Sequence, residues 1–137
     1  MQNPLLASYV DYFHRNVTEF CSETLKKKGI TVGLMYLVLY VCSNPGCTPI
    51  QLSKDLGLDR AYVLRCIQKL NSDGFIKREP HPTDGRATVL YATDKGLDIY
   101  ETGRGLLHSW DEHMLEDVTP QEKQELFKIL AKIKQKG

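Results

Sequence analysis

The sequence of 137 residues is 42% hydrophobic, 26% charged and 9% aromatic, the composition of one compact globular domain, and it is too short for two. A formal charge of +1 excludes a histone-like polycation and a disordered acidic or basic tail, so any nucleic-acid binding has to come from local charge. The longest apolar run lies within Leu34 to Val41, short of the ~20 residues that span a bilayer, and Met1, Gln2, Asn3 and Pro4 lack the basic and apolar regions of a secretory signal; a soluble, cytoplasmic protein with no membrane partner is expected.

Apolar residues at Leu6, Val10, Phe13, Val17, Phe20, Cys21 and Leu25 recur at spacings of three and four, which predicts a long amphipathic helix over residues 5–27, stopped at Gly29. Thr31 can cap a second helix that passes through Leu34, Leu37, Val38 and Val41 to the breaker Asn44-Pro45-Gly46. That helix is apolar on most sides, which suits a central position. Thr48-Pro49-Ile50-Gln51 forms a capping box with proline where no N–H is needed, and it opens a short third helix ending at Gly57. Asp59 can cap a fourth helix, which turns Val63, Ile67 and Leu70 inward with Leu64 beside them, and Ala61, Tyr62, Arg65, Gln68 and Lys69 outward. It ends at Asp73-Gly74. The pattern then changes to a strand over residues 75–79, a turn from Pro80 to Gly85 and a returning strand over 88–91. Thr93 caps a long helix in which Tyr100, Gly103, Leu107, Trp110 and Met114 follow heptad-like spacing. A second capping box, Thr119-Pro120-Gln121-Glu122, opens a last helix with Leu126, Ile129, Leu130 and Ile133 on one face.

A short helix, a tight turn, a helix with a polar outer face and a hairpin follow one another in the order of a winged helix-turn-helix. The predicted class is mainly α with a small two-stranded antiparallel hairpin. Within a single domain over 1–137, residues 31–92 form the winged part, and residues 1–29 with 93–137 form a helical dimerisation part. The stripe of Leu6, Val10, Phe13 and Val17, together with Ile129, Leu130 and Ile133, is more apolar surface than a small winged helix needs alone, so a homodimer is expected.

Residues 60–95 carry seven basic and four acidic side chains, net +3, whereas residues 98–125 carry two basic and eight acidic, net −6. That division suits a middle segment that meets phosphate, although an ordinary solvated surface would show it too. Double-stranded DNA is the expected partner, with Arg60, Ala61, Tyr62, Arg65, Gln68 and Lys69 on the helix entering a major groove and Asp84 and Arg86 at the hairpin tip. A guanidinium at Arg86 can enter a minor groove, held by a charge-assisted pair to Asp84; the same Asp84-Gly85-Arg86 also suits a turn with solvated charges.

The ordered series Leu70, Asp73-Gly74-Phe75-Ile76-Lys77-Arg78, Asp84-Gly85-Arg86 and Thr93-Asp94-Lys95-Gly96 resembles the MarR (multiple antibiotic resistance regulator) family of bacterial transcription factors over nearly the whole chain. The resemblance implies a homodimeric winged-helix repressor or activator that dimerises through its first and last helices, with Arg65, Asp84 and Arg86 facing DNA. Two positions depart from the family pattern: Arg60-Ala61-Tyr62 stands where members often carry small hydroxyl residues, so base contacts there do not carry over, and Ala92 replaces the usual leucine before Thr93.

Regulation is open among three classes at this stage. The family's peroxide sensors place a reactive cysteine near the start of the first helix, where this chain has Ala7 and Ser8; Cys21, Cys42, Cys47 and Cys66 lack zinc-type or C-x-x-C spacing and read as buried thiols. Zinc-sensing relatives use His and acidic residues, but His108 and His113, flanking Asp111 and Glu112, are five apart and off the i, i+4 spacing that puts two imidazoles on one face. The resemblance most often implies a small, partly apolar effector in a crevice between the dimer part and the wing domain, and His14, Tyr36 and Tyr40 are the candidate lining residues. No nucleophile motif or phosphate loop is present, so neither an enzyme, a cofactor nor a metal site is expected. A winged helix used only for protein docking is the alternative to DNA binding, and it would show exposed Leu, Ile or Phe on the fourth helix where this chain has Arg60, Arg65, Gln68 and Lys69.

Overall fold

All the helices among the described residues except the first start at a capping side chain. The computed structural model describes residues 3–137, and the sequence readings at Met1 and Gln2 lie outside the described residues. The order is α1 (Leu6–Lys27), α2 (Val32–Ser43), α3 (Pro49–Leu56), α4 (Arg60–Ser72), β1 (Ile76–Pro80), β2 (Thr88–Ala92), α5 (Asp94–Met114) and α6 (Pro120–Lys134). Thr31, Thr48, Asp59, Thr93 and Thr119 each accept the N–H that a helix start leaves free, and both capping boxes close reciprocally. At the end of α4, Gly74 turns the backbone to a φ of 83°, which lets the Phe75 N–H reach back to the Leu70 carbonyl at 2.9 Å. The Phe75 and Leu70 side chains on either side of that turn are buried in the same core cluster.

α2 is the centre of the fold: Val32, Leu34, Met35, Leu37, Val38 and Val41 are all buried. Around it lie Cys21 and Leu25 of α1, Leu52 of α3, Val63, Ile67 and Leu70 of α4, Leu90 of β2 and Ile99 of α5. α1 and α5 run antiparallel, tied by Trp110 Nε1 donating to Asn16 Oδ1 at 2.8 Å and by Lys28 on Asp98 at 2.7 Å. α6 buries none of its residues.

Three details differ from the sequence reading, and the hairpin register adds to it. β1 starts at Ile76 and not at Phe75, because the Phe75 N–H closes α4 on the Leu70 carbonyl, while the Phe75 carbonyl accepts the Thr93 N–H as the bond that ends the ladder. The hairpin register runs from Ile76 opposite Ala92 to Pro80 opposite Thr88, and a bridge from Cys47 to Leu90 adds the chain before α3 to the outer edge of β2. Leu64 is 54% exposed; at about 100° per residue it stands off the Val63, Ile67 and Leu70 stripe. Val17 is half-buried against its own core, so it contributes less to an outer stripe than Leu6, Val10 and Phe13, which stay exposed.

Candidate nucleic-acid interface

The left-handed turn at Gly57, where φ is 65°, joins α3 to α4. Leu58 N–H bonds back to the Ser53 carbonyl at 2.9 Å, and Ser53 Oγ donates to the Leu58 carbonyl at 2.6 Å, so the turn is closed from both sides. This fixes α4 against α3 and leaves its outer face to solvent. The helical period divides that face into three parts. Ala61, Arg65 and Gln68 stand opposite the core, Arg60 and Leu64 lie on the flank towards the wing, and Tyr62 and Lys69 lie on the flank towards the α1–α2 turn. Tyr62 directs its hydroxyl at the start of α2, 3.7 Å from where a Cβ on Gly33 would sit, and the Arg65 guanidinium lies 6.0 Å from the Tyr62 ring centre. Lys69 pairs with Asp73 at 3.1 Å and borders a groove it shares with Thr18, Ser22 and Lys26 of α1.

On the other flank, Arg60 and Leu64 of α4, Thr48 and Ile50 at the start of α3, and Arg86 and Thr88 of the wing line one groove of about 280 Å³. Arg60 opens α4, where the positive end of the helix dipole disfavours a cation, and a phosphate at this mouth would satisfy both the guanidinium and the free helix N–H groups.

The wing tip is ordered by two side chains. His81 Nδ1 accepts from the Thr83 and Asp84 N–H groups at 3.2 and 3.1 Å, and Asp84 Oδ1 accepts from the Arg86 N–H at 3.1 Å. The expected ion pair between the Asp84 carboxylate and the Arg86 guanidinium does not form: the carboxylate is spent on the Arg86 backbone, which shapes the turn and leaves the guanidinium exposed. His81 escaped the sequence reading because an Asn or Asp at that place would have read as a turn former, whereas a histidine carries no such pattern.

The residues considered for sensing are scattered. His14 is exposed on α1, the Tyr36 hydroxyl is pushed up chiefly by burial, and Tyr40 Oη donates to Asp55 Oδ2 at 2.6 Å, a strut from α2 to α3. Burial, then that bond to Asp55, pushes Tyr40 up to about 12. His14, Tyr36 and Tyr40 do not line the groove beside Lys69, the groove between α4 and the wing, or the two grooves along the exposed face of α1. Cys21, Cys47 and Cys66 are buried and Cys42 half-buried; burial pushes the Cys21 and Cys42 thiols up and Cys47 up to about 11, the reverse of the low value that a reactive thiolate needs. His108 and His113 are exposed, and no three His, Cys, Asp or Glu side chains gather into a metal site among the described residues.

Residues 36–88 match the model of the MarR family. Over 127 residues the chain is 38% identical to the HTH-type transcriptional regulator BilQ of Clostridium symbiosum, covering 93% of this chain and 88% of that protein. The chain belongs to the MarR family. As a MarR-family protein it is a transcriptional regulator and not an enzyme. A MarR protein from Peptoclostridium difficile superposes with a TM-score of 0.91 at 26% identity, over 99% of this chain and 89% of that one. A MarR-family regulator from Listeria monocytogenes, solved with 26mer DNA, shares the fold with a TM-score of 0.90 at 21% identity, over 98% of this chain and 89% of its own. The matched residues 36–88 run from within α2 to the first residue of β2, and α1, α5 and α6 lie outside them.

Proposed function

We propose that this MarR-family regulator binds double-stranded DNA as a homodimer, through residues 31–92, at an inverted-repeat operator, and that a small molecule relieves repression. The observation that carries the DNA-binding reading is the meeting of Arg60 on α4 and Arg86 on the wing at one groove, beside the exposed Ala61, Arg65 and Gln68. α4 enters a major groove, about 12 Å wide, and the wing arginine enters the neighbouring minor groove. The DNA bound by the Listeria monocytogenes neighbour supports the same class of ligand here.

Dimerisation through residues 1–29 and 93–137 is supported by the surface these segments leave bare. Leu6, Val10 and Phe13 of α1, Met114 of α5 and Leu126 and Leu130 of α6 border an apolar groove of about 510 Å³, and Ile129 and Ile133 continue it, 46% and 41% exposed. A second copy of the same face would cover it, and two-fold symmetry would then set the two α4 helices one helical turn of DNA apart, about 10 to 10.5 base pairs. Selection of bound fragments from the host genome by the purified protein tests the reading. An inverted repeat is expected, upstream of genes whose products handle the effector. Equal recovery of all sequences, or sedimentation at micromolar concentration as a 15.6 kDa monomer, would refute it.

A further inference from the structure

Leu64 is the anomaly of α4. A leucine in a small domain is normally spent on the core, yet this one is 54% exposed, and the other large aliphatic side chain of its groove, Ile50, is 58% exposed. Single exposed aliphatics are common and need no explanation. Two that face one groove between two arginines are a different matter, because Arg60 and Arg86 make the same groove a place for polyanion. A protein partner docking on Leu64 would have to bury both guanidinium groups, whereas a duplex supplies phosphate for the arginines and an apolar group for the leucine together. The apolar group that a major groove offers is the C5-methyl of thymine.

We infer that Leu64 is a specificity-determining residue that reads a thymine methyl in each half-site. This rests on the reading of α4 as the helix that enters the major groove. Arg60 lies one helical turn before Leu64 on the same flank, so a phosphate held by Arg60 sets the position along the groove at which Leu64 meets a base edge. Arg65, opposite the core, is free for a neighbouring base pair. The preference that results is for thymine over both cytosine and uracil, since neither of those carries the methyl group.

The test separates this inference from the DNA-binding reading beneath it. The full chain is used to select duplexes from a random library, and each thymine of the enriched site is then replaced in turn by deoxyuridine, which removes the methyl and leaves every hydrogen-bonding group in place. Binding is expected to fall about fourfold at one thymine per half-site, the equivalent of about 0.8 kcal/mol for one buried methyl. Leu64→Ala, checked for unchanged helicity by circular dichroism, should bind thymine and uracil equally at that position while the other positions respond as before. Uracil tolerated everywhere, an enriched site without thymine under α4, or a Leu64→Ala protein that keeps the fourfold ratio each overturns the role of Leu64 while leaving DNA binding intact. A library that yields no enriched sequence overturns the DNA-binding reading, and this one with it.

Discussion

Gly96→Ala and Gly105→Ala are the same substitution on the same helix, and the structure predicts opposite signs. A Cβ on Gly96 would stand 2.2 Å from the Phe75 carbonyl oxygen, 3.3 Å from its carbon and 3.4 Å from Ala92 Cβ. That oxygen cannot retreat freely, because it accepts from the Thr93 N–H at 3.1 Å and lies 3.0 Å from Thr93 Oγ1, whose one hydrogen it shares with the Gly74 carbonyl and which caps α5 through the Gly96 N–H. Overpacking at such a site costs about 1–3 kcal/mol and disturbing the cap about 1 kcal/mol, while alanine returns about 1 kcal/mol of helix propensity. A net loss of about 2 kcal/mol follows. For a chain of this length it lowers the melting temperature by about 6–10 °C. Gly105 has nothing within 4 Å of an added Cβ, so only the propensity gain remains and the melting temperature should rise by about 3–5 °C. Thermal melts followed at 222 nm on both variants and the unmutated protein decide the matter. If Gly96→Ala melts at or above the unmutated protein, the close approach of α5 to Phe75 is not a rigid contact and the argument fails.

Three further outcomes follow from the interface and from α6. Arg65→Ala should relax sequence preference, because a bidentate arginine–guanine contact carries about 1–3 kcal/mol of discrimination, and Lys69→Ala should weaken all sequences alike; a titration of both against operator and scrambled duplex checks this, and equal losses on operator alone would count against it. Asp84→Ala removes a negative charge near phosphate but also the acceptor for the Arg86 N–H, so weaker binding at fixed salt is expected, and tighter binding would show that simple repulsion dominates. Hydrogen bonds from Thr119 hold the Glu122 carboxyl below its ordinary value of 4.5, so this cap supports α6 above pH 4.5 and is lost as pH falls through the lower folded value. Circular dichroism should show that acid fraying in the unmutated protein and not in Glu122→Gln; an identical acid response in both would remove Glu122 as its cause.

What the sequence made legible was local and directional. Thr48 with Gln51 and Thr119 with Glu122 mark helix starts because capping needs only residues three apart, and the glycines at 57 and 74 mark ends for the same reason. Leu64 was misplaced because a leucine next to Val63 adds to a hydrophobic count whichever way it points, and only the packing of α4 on α3 and β1 decides the angle. The bridge from Cys47 to Leu90 joins residues 43 positions apart, beyond any local pattern. Asp84 was read correctly as a turn residue and incorrectly as a partner for a guanidinium, since its nearest donor is a backbone N–H two residues on. Tyr40 finds its partner in Asp55 on the next helix, fifteen positions on and outside any local pattern.

The end of α4 and the start of α5 are joined as one piece. Lys95 Nζ reaches the Asp73 carbonyl at 2.6 Å while lying 4.3 Å from the Phe75 ring centre, and Thr93 Oγ1 donates to the Gly74 carbonyl at 2.5 Å. α4 therefore has little freedom to slide against α5, and a 21-residue α5 makes a lever about 30 Å long. A tilt of that lever by about 6° at its far end, where Trp110 and Met114 border the apolar groove, would move α4 by about 3 Å. That is close to the ~3.4 Å step from one base pair to the next. In the proposed homodimer, two such α4 helices would form a caliper whose setting is fixed some 30 Å from its jaws.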